Sequence, residues 1–112
     1  MDNCLFCKIA EKKIPSEIVF ENEELVAFKD ISPQAPVHIL IIPRVHISTP
    51  ADINSENSIV AGKILAAAAE IAGENKLDGY RLVFNCNESA GQSVFHLHAH
   101  LLGGRSMNWP PG

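Results

Sequence analysis

Phe95-His96-Leu97-His98-Ala99-His100-Leu101-Leu102 carries three imidazoles at alternate positions. Imidazole titrates near pH ~6.5, so each can serve as nucleophile, acid, base or metal ligand at neutral pH. Alternation fits a strand, which places same-face neighbours roughly 6.5–7 Å apart. On that reading His96, His98 and His100 share one face, while Phe95, Leu97, Ala99 and Leu101 bury the other against a helix. A polar surface stripe is the plain alternative, and three alternating histidines beside Gly91-Gln92-Ser93 disfavour it. A catalytic metal held by all three fails on geometry. Metal–nitrogen bonds are about 2 Å long, and in-line strand residues cannot converge that far without bending the strand. A nucleophilic imidazole needs its far nitrogen hydrogen-bonded and donors around an anionic centre. The backbone N–H groups of Gly91, Gln92 and Ser93 and the Ser93 hydroxyl are candidate donors, and Gly91 lets a ligand approach the backbone. The set suits phosphoryl transfer through a histidine adduct, on a substrate with a single phosphate.

The elements that must hold these groups read as α+β. The first dozen residues form one short helical turn carrying Cys4 and Cys7. Ile18–Phe20 and Leu25–Phe28 make a hairpin, and the prolines of Asp30–Pro36 mark a connection. Val37–Ile42 is a strand closed by Pro43. Ser55–Gly73 is the one long helix, with Asn54 or Ser55 as its cap. Its face carries Ile59, Lys63, Ala67 and Ile71, with Val60, Ile64 and Ala68 beside it. Tyr80–Phe84 is a strand, Asn85–Gly91 a turn-rich loop, and Val94–Leu102 the final strand. The strand-to-strand connections are too short for helical crossovers, so the sheet is an antiparallel meander.

The chain has 112 residues, enough for one domain, 1–112. Hydrophobic residues make up 46% and charged residues 20%, which excludes a disordered chain. No apolar run approaches the ~18 residues of a membrane span, so no membrane partner is expected. Nine Lys and Arg against thirteen Asp and Glu give a net charge of −4 without a basic stripe, which disfavours nucleic acid as a partner. Three cysteines and an acidic first segment without secretory character point to thiols in a reducing cytosol, hence a cytoplasmic location.

His96-Leu97-His98-Ala99-His100-Leu101-Leu102 resembles the motif of the histidine triad (HIT) family. Asp30-Ile31-Ser32-Pro33-Gln34-Ala35-Pro36-Val37-His38, Gly91-Gln92-Ser93-Val94 and Gly103-Gly104-Arg105 with the Trp109-Pro110-Pro111-Gly112 ending resemble its Hint branch, across nearly the whole chain. The resemblance implies a homodimer whose sheets join into ten strands. It implies a purine nucleotide site and hydrolysis of nucleoside phosphoramidates, such as adenosine monophosphoramidate, to the monophosphate and an amine. By the same resemblance His98 is the nucleophile, and His38 orients it through the carbonyl of His100. His100 and Ser93 stand at the phosphate and leaving group, and Asp30 binds the ribose hydroxyls. Asn85, Gly91 and Gln92 are phosphate-side contacts. Phe6, Ile9, Phe28 and Ile31 wall the nucleoside pocket, and Trp109 shapes the partner subunit's site. Asn87 and Ala90 stand where the family favours Gly; Asn tolerates positive φ better than other residues. The runner-up functions are nucleotide-binding scaffold with vestigial activity and dinucleoside polyphosphate hydrolase. His100 and the tail argue against the second.

Cys4-x-x-Cys7 has the spacing of a structural zinc half-site. His46 and His96 would complete a tetrahedral set, an arrangement similar to that of some histidine triad proteins and galactose-phosphate uridylyltransferases. No cofactor is expected in catalysis itself, and Cys86 reads as incidental.

Overall fold

A computed structural model describes residues 3–112. Helix α1 (Leu5–Ala10) is followed by β1 (Ile18–Glu21), β2 (Leu25–Lys29), β3 (Val37–Pro43), α2 (Ile59–Glu74), β4 (Tyr80–Val83) and β5 (Ala99–Gly103). The strands form one antiparallel sheet in the order β1-β2-β3-β5-β4. The expected five-stranded antiparallel α+β sheet, with one long and one short helix, is found, but the meander is not: β5 lies between β3 and β4, and α2 carries the chain from β3 across to the edge strand β4. At the β1–β2 turn the Asn22 Oδ1 accepts from the Glu24 and Leu25 N–H groups, at 2.9 and 2.8 Å. None of the described helices is long and apolar enough to cross a membrane.

Strand alternation divides the core in two. Leu25 and Ala27 of β2, Ile39 and Ile41 of β3, and Ala99 and Leu101 of β5 pack with Ile64, Ala67, Ala68 and Ile71 of α2. The intervening Val26, Phe28, Leu40 and Ile42 pack with Phe6, Ile9 and Ala10 of α1. The same parity turns His38 and His100 away from α2. Both imidazoles therefore face the α1 side, on adjacent strands with His38 paired to Leu102 and His100 to Leu40.

Three expectations about boundaries and packing shift as well. The last strand starts at Ala99 and not at Val94. Its ladder with β3 runs from Val37↔Gly103 to Ile41↔Ala99, and Pro43 has no N–H with which to extend it. His96 and His98 thus lie in the segment leading into β5, and only His100 of the trio is on the strand. Phe95 is 38% exposed and does not share the α2-facing core with Leu97. Next, α2 starts at Ile59 instead of Ser55, and its N-cap is Ser58, whose side chain makes no capping bond. Asn54 Oδ1 accepts from Glu56 N–H and Asn57 Oδ1 from Asn54 N–H, so local side-chain bonds hold this segment in turns. Finally, the buried face of α2 is Ile64, Ala67, Ala68, Ile71 and Ala72. Ile59 is 72% exposed and Lys63 pairs with Glu24 at the rim.

Candidate active site and an adjacent cysteine–histidine cluster

The segment entering β5 places two side chains with different surroundings. The His98 Nδ1 lies 2.7 Å from the His96 carbonyl oxygen, which can only accept, so Nδ1 carries the proton. This leaves Nε2 with its lone pair. Phe6 of α1 packs edge-on against the His98 ring at 5.0 Å between centroids. Burial holds the His98 pKa below the ordinary imidazole value, partly opposed by its bond to His96 and by the Asp30 charge. The ring is therefore neutral at physiological pH. The expected route of orientation through the His100 carbonyl is replaced by this direct bond to His96.

A second chain of imidazoles crosses from β3 to β5. The Gln34 N–H donates to His38 Nδ1 at 3.0 Å. A backbone N–H cannot accept, so neutral His38 carries its proton on Nε2. That nitrogen is 2.9 Å from His100 Nδ1 and 3.4 Å from Asp30 Oδ2. His100 then accepts at Nδ1 and presents an N–H at Nε2. Burial, then the neighbouring His98 and His38 rings, lower the His100 pKa to about 4. Burial likewise lowers that of His38, against the pull of Asp30.

A cavity of about 350 Å³ opens beside these rings, within the usual range for small-molecule sites. Phe6, Ile9, Phe28 and Leu40 give it apolar walls; Asp30, Ser93, His98 and His100 give it polar groups. Ile31 lines its mouth and is 98% exposed. Opposite, the loop before the trio is held by Gln92, whose amide donates to Ser48 and Val94 carbonyls and accepts from Asn87 N–H. Asn87 takes φ 71° and Gly91 φ 95°, so the Asn indeed accepts the backbone that favours glycine.

A cluster of Cys4, Cys7, His46 and His96 adjoins the site, its four ligand atoms within 4.8 Å of one another. His96 Nε2 donates to the Pro43 carbonyl at 2.7 Å, so its bare Nδ1 faces the sulfurs, 3.2 Å from Cys4 Sγ and 3.5 Å from Cys7 Sγ. His46 sets Nδ1 3.5 Å from Cys7 Sγ, with Nε2 3.3 Å from the Ser48 hydroxyl. Zinc bonds to sulfur and nitrogen in a tetrahedron span about 3.6 Å between ligand atoms, and outer hydrogen bonds on both imidazoles are what ligating histidines require. The donor set fits zinc. Burial, then the hydrogen bond and charge of Cys4, push the Cys7 thiol up to about 11. A divalent cation would reverse that preference.

A family model described as scavenger mRNA decapping enzyme C-term binding matches residues 3–109. A solved HIT family hydrolase from Legionella pneumophila superposes with a TM-score of 0.96 at 54% identity, covering 98% of this chain and 100% of that one. The chain belongs to the histidine triad family. Within that family, the purine nucleoside phosphoramidase of Escherichia coli K12 is 46% identical, over 95% of this chain and 91% of its own length. A 14 kDa zinc-binding protein of Zea mays is 50% identical, over 96% of this chain and 87% of its own.

This histidine triad chain brings most of its anticipated groups together. Phe6, Ile9, Phe28, Asp30, Ile31, Ser93, His98 and His100 line the cavity, and His38 stands behind His100. The phosphate-side loop divides differently. Gly91 N–H donates to the Glu88 carbonyl and Gln92 N–H to that of Asn87. Gln92 is also buried with its amide engaged, so it supports the loop and offers no free donor. Asn85 lies against Gly91, outside the cavity lining. Among the described residues, Ser93 makes no hydrogen bond through its N–H or hydroxyl, and it is exposed where it lines the cavity. Sequence reasoning did not single out Leu5, Ile14, Pro15, Ser16, Leu40 or Val94, which also line it. The hydrophobic pattern of β3 marked Leu40 as buried; nothing local marked Ser16.

Proposed function

We propose that the chain is a nucleotide hydrolase that cleaves the P–N bond of purine nucleoside 5′-phosphoramidates, through a nucleotidyl adduct on His98. The observation that carries this reading is the bond from His98 Nδ1 to the His96 carbonyl, which leaves a neutral, bare Nε2 beside a cavity that also holds Asp30, Ser93 and His100. In the first half-reaction the Nε2 lone pair forms a bond to phosphorus and the phosphorus–amine bond breaks. The departing amine takes up one proton from water, which the free Ser93 hydroxyl can pass by accepting one proton and donating its own. The His100 Nε2–H donates a hydrogen bond to the charge growing on the reacting group. In the second half-reaction water attacks phosphorus, the His98–phosphorus bond breaks, and the proton returns to solvent with the nucleoside monophosphate. Asp30 suits the two ribose hydroxyls as a double acceptor, and the apolar walls suit a purine face without reading its edge.

Two further parts belong to this reading. Cys4, Cys7, His46 and His96 would hold a zinc ion, supplying a closed cross-link and no catalytic step. Two chains would pair about a two-fold axis, joining edge strands β4 into a ten-stranded sheet. In support, β4 is a sheet edge, and the neighbouring outer face of α2 exposes Ile59 and Leu65 (72% and 52%).

Replacing the nucleophile tests the reaction. His98→Asn should retain adenosine monophosphate binding within about threefold and lose at least ~10³-fold in kcat, as removal of an essential nucleophile does. Turnover near the native rate would overturn the assignment.

A further inference from the structure

The His38–His100 pair works as a donor only in one tautomeric arrangement, and that arrangement is imposed from outside the pair. Two contacts decide which His38 nitrogen bears the proton: the Gln34 N–H on Nδ1 at 3.0 Å and, more distantly, the Asp30 carboxylate 3.4 Å from Nε2. If that donor withdraws, the tautomer protonated at Nδ1 becomes available. His38 Nε2 would then offer a lone pair to His100 Nδ1, His100 would take its proton there, and its Nε2 would turn a lone pair toward an anionic phosphorus centre.

Gln34 is held from the C-terminal segment. The Arg105 guanidinium donates through Nε and Nη2 to the Gln34 carbonyl, at 3.1 and 3.0 Å, and through Nη1 to its neighbour Ser106 at 3.0 Å. The two-pronged contact fixes position as well as distance, as a planar guanidinium does and an ammonium does not. Gly104 brings the two segments together. It takes φ 88°, and a Cβ there would lie 2.9 Å from the Pro36 ring. Inside the bend, Gln34 Nε2 donates to the Ser32 carbonyl and Ser32 N–H to Asp30 Oδ1, at 3.0 and 2.7 Å. The bend therefore carries both the ribose acceptor and the tautomer-setting amide, and Arg105 anchors it to the segment leaving the adjacent strand β5, where Gly103 pairs with Val37.

We propose that Arg105 is a positioning residue for the reaction. Its grip on the Gln34 carbonyl holds the Gln34 N–H on His38, and through His38 it keeps a proton on the His100 nitrogen that faces the reacting phosphorus. Its effect on rate rests on the phosphoramidase reading above; its effect on the tautomer does not.

The test combines ring-nitrogen NMR of the native protein, Arg105→Ala and Arg105→Lys with steady-state kinetics on adenosine monophosphoramidate. Arg105 is exposed, so both variants are expected to fold, which circular dichroism checks. In the native protein His38 and His100 should show Nε2–H and His98 Nδ1–H. In Arg105→Ala the His38 signals should move toward a mixture of tautomers, with kcat down about tenfold and KM within about twofold. That loss is smaller than the ~10²-fold cost of deleting such a donor outright. Arg105→Lys should recover part of both. A native His38 protonated at Nδ1 overturns the proposal. So does an Arg105→Ala protein with native tautomers, or one with altered tautomers and an unchanged kcat. A native protein that cleaves no phosphoramidate defeats the functional reading instead, and the NMR outcomes still decide the tautomer claim.

Discussion

Packing neutral imidazoles side by side has a consequence for acid stability. His38 and His100 are both held below the ordinary imidazole pKa, His100 to about 4, by burial first and then, for His100, by the neighbouring rings. In the unfolded chain each protonates near pH ~6.5. Because the folded pKa values are lowered, their favourable contribution is complete above that value. It is lost as pH falls from about 6.5 through 4, where the unfolded state binds protons that the native state refuses. We expect the melting temperature to hold steady between pH 7 and 8 and to fall progressively from pH 6.5 to 4. Replacing His100 with Asn should flatten part of that slope. A melting temperature independent of pH across this window would contradict the assigned protonation states.

At the level of elements, α1 is a six-residue helix that must both wall the cavity and steady the nucleophile. Six residues make a marginal helix on their own. Its N-cap is Cys4, whose Sγ accepts from the Cys7 N–H at 3.3 Å, and its buried face is Phe6, Cys7, Ile9 and Ala10. A zinc ion shared with His46 and His96 would tie this turn to the segment that enters β5. Protein purified without chelator should contain about one zinc per protomer. Stripping it should lower the melting temperature by several degrees, at the ~4–8 °C per kcal/mol expected for a domain of this size. Protein without zinc and a melting curve indifferent to chelator would remove the metal from the account. The same elements show what could be read without coordinates. The apolar run Leu25–Phe28 and the β-rich run Val37–Ile42 marked the strands, and the motif marked His98 and His100. The point where β5 begins was hidden, because Pro43, more than fifty residues away, ends the ladder. The helix start was hidden by side-chain bonds among Asn54, Glu56 and Asn57. Gln92 was expected at the phosphate from the family resemblance and from its backbone N–H; only its three engaged side-chain bonds reveal a strut.

For the whole molecule, one sheet separates two kinds of work. Its α2 side is an apolar core, and its α1 side holds the imidazoles, the cavity and the cysteine–histidine cluster. The edge strand β4 and the exposed outer residues of α2 stand apart from that cavity, so pairing through them leaves it open. Sedimentation equilibrium should return twice the 12.2 kDa chain mass at micromolar concentration; the mass of one chain would contradict pairing. The reaction scheme itself is decided by rapid quench. Mixing the protein with excess adenosine monophosphoramidate, quenching within one turnover and mapping peptides by mass spectrometry should locate an adenylyl group on His98. Solvent oxygen label should then enter the monophosphate only in the second half-reaction. An unmodified His98 at every quench time, with label entering the product in a single step, would contradict the account.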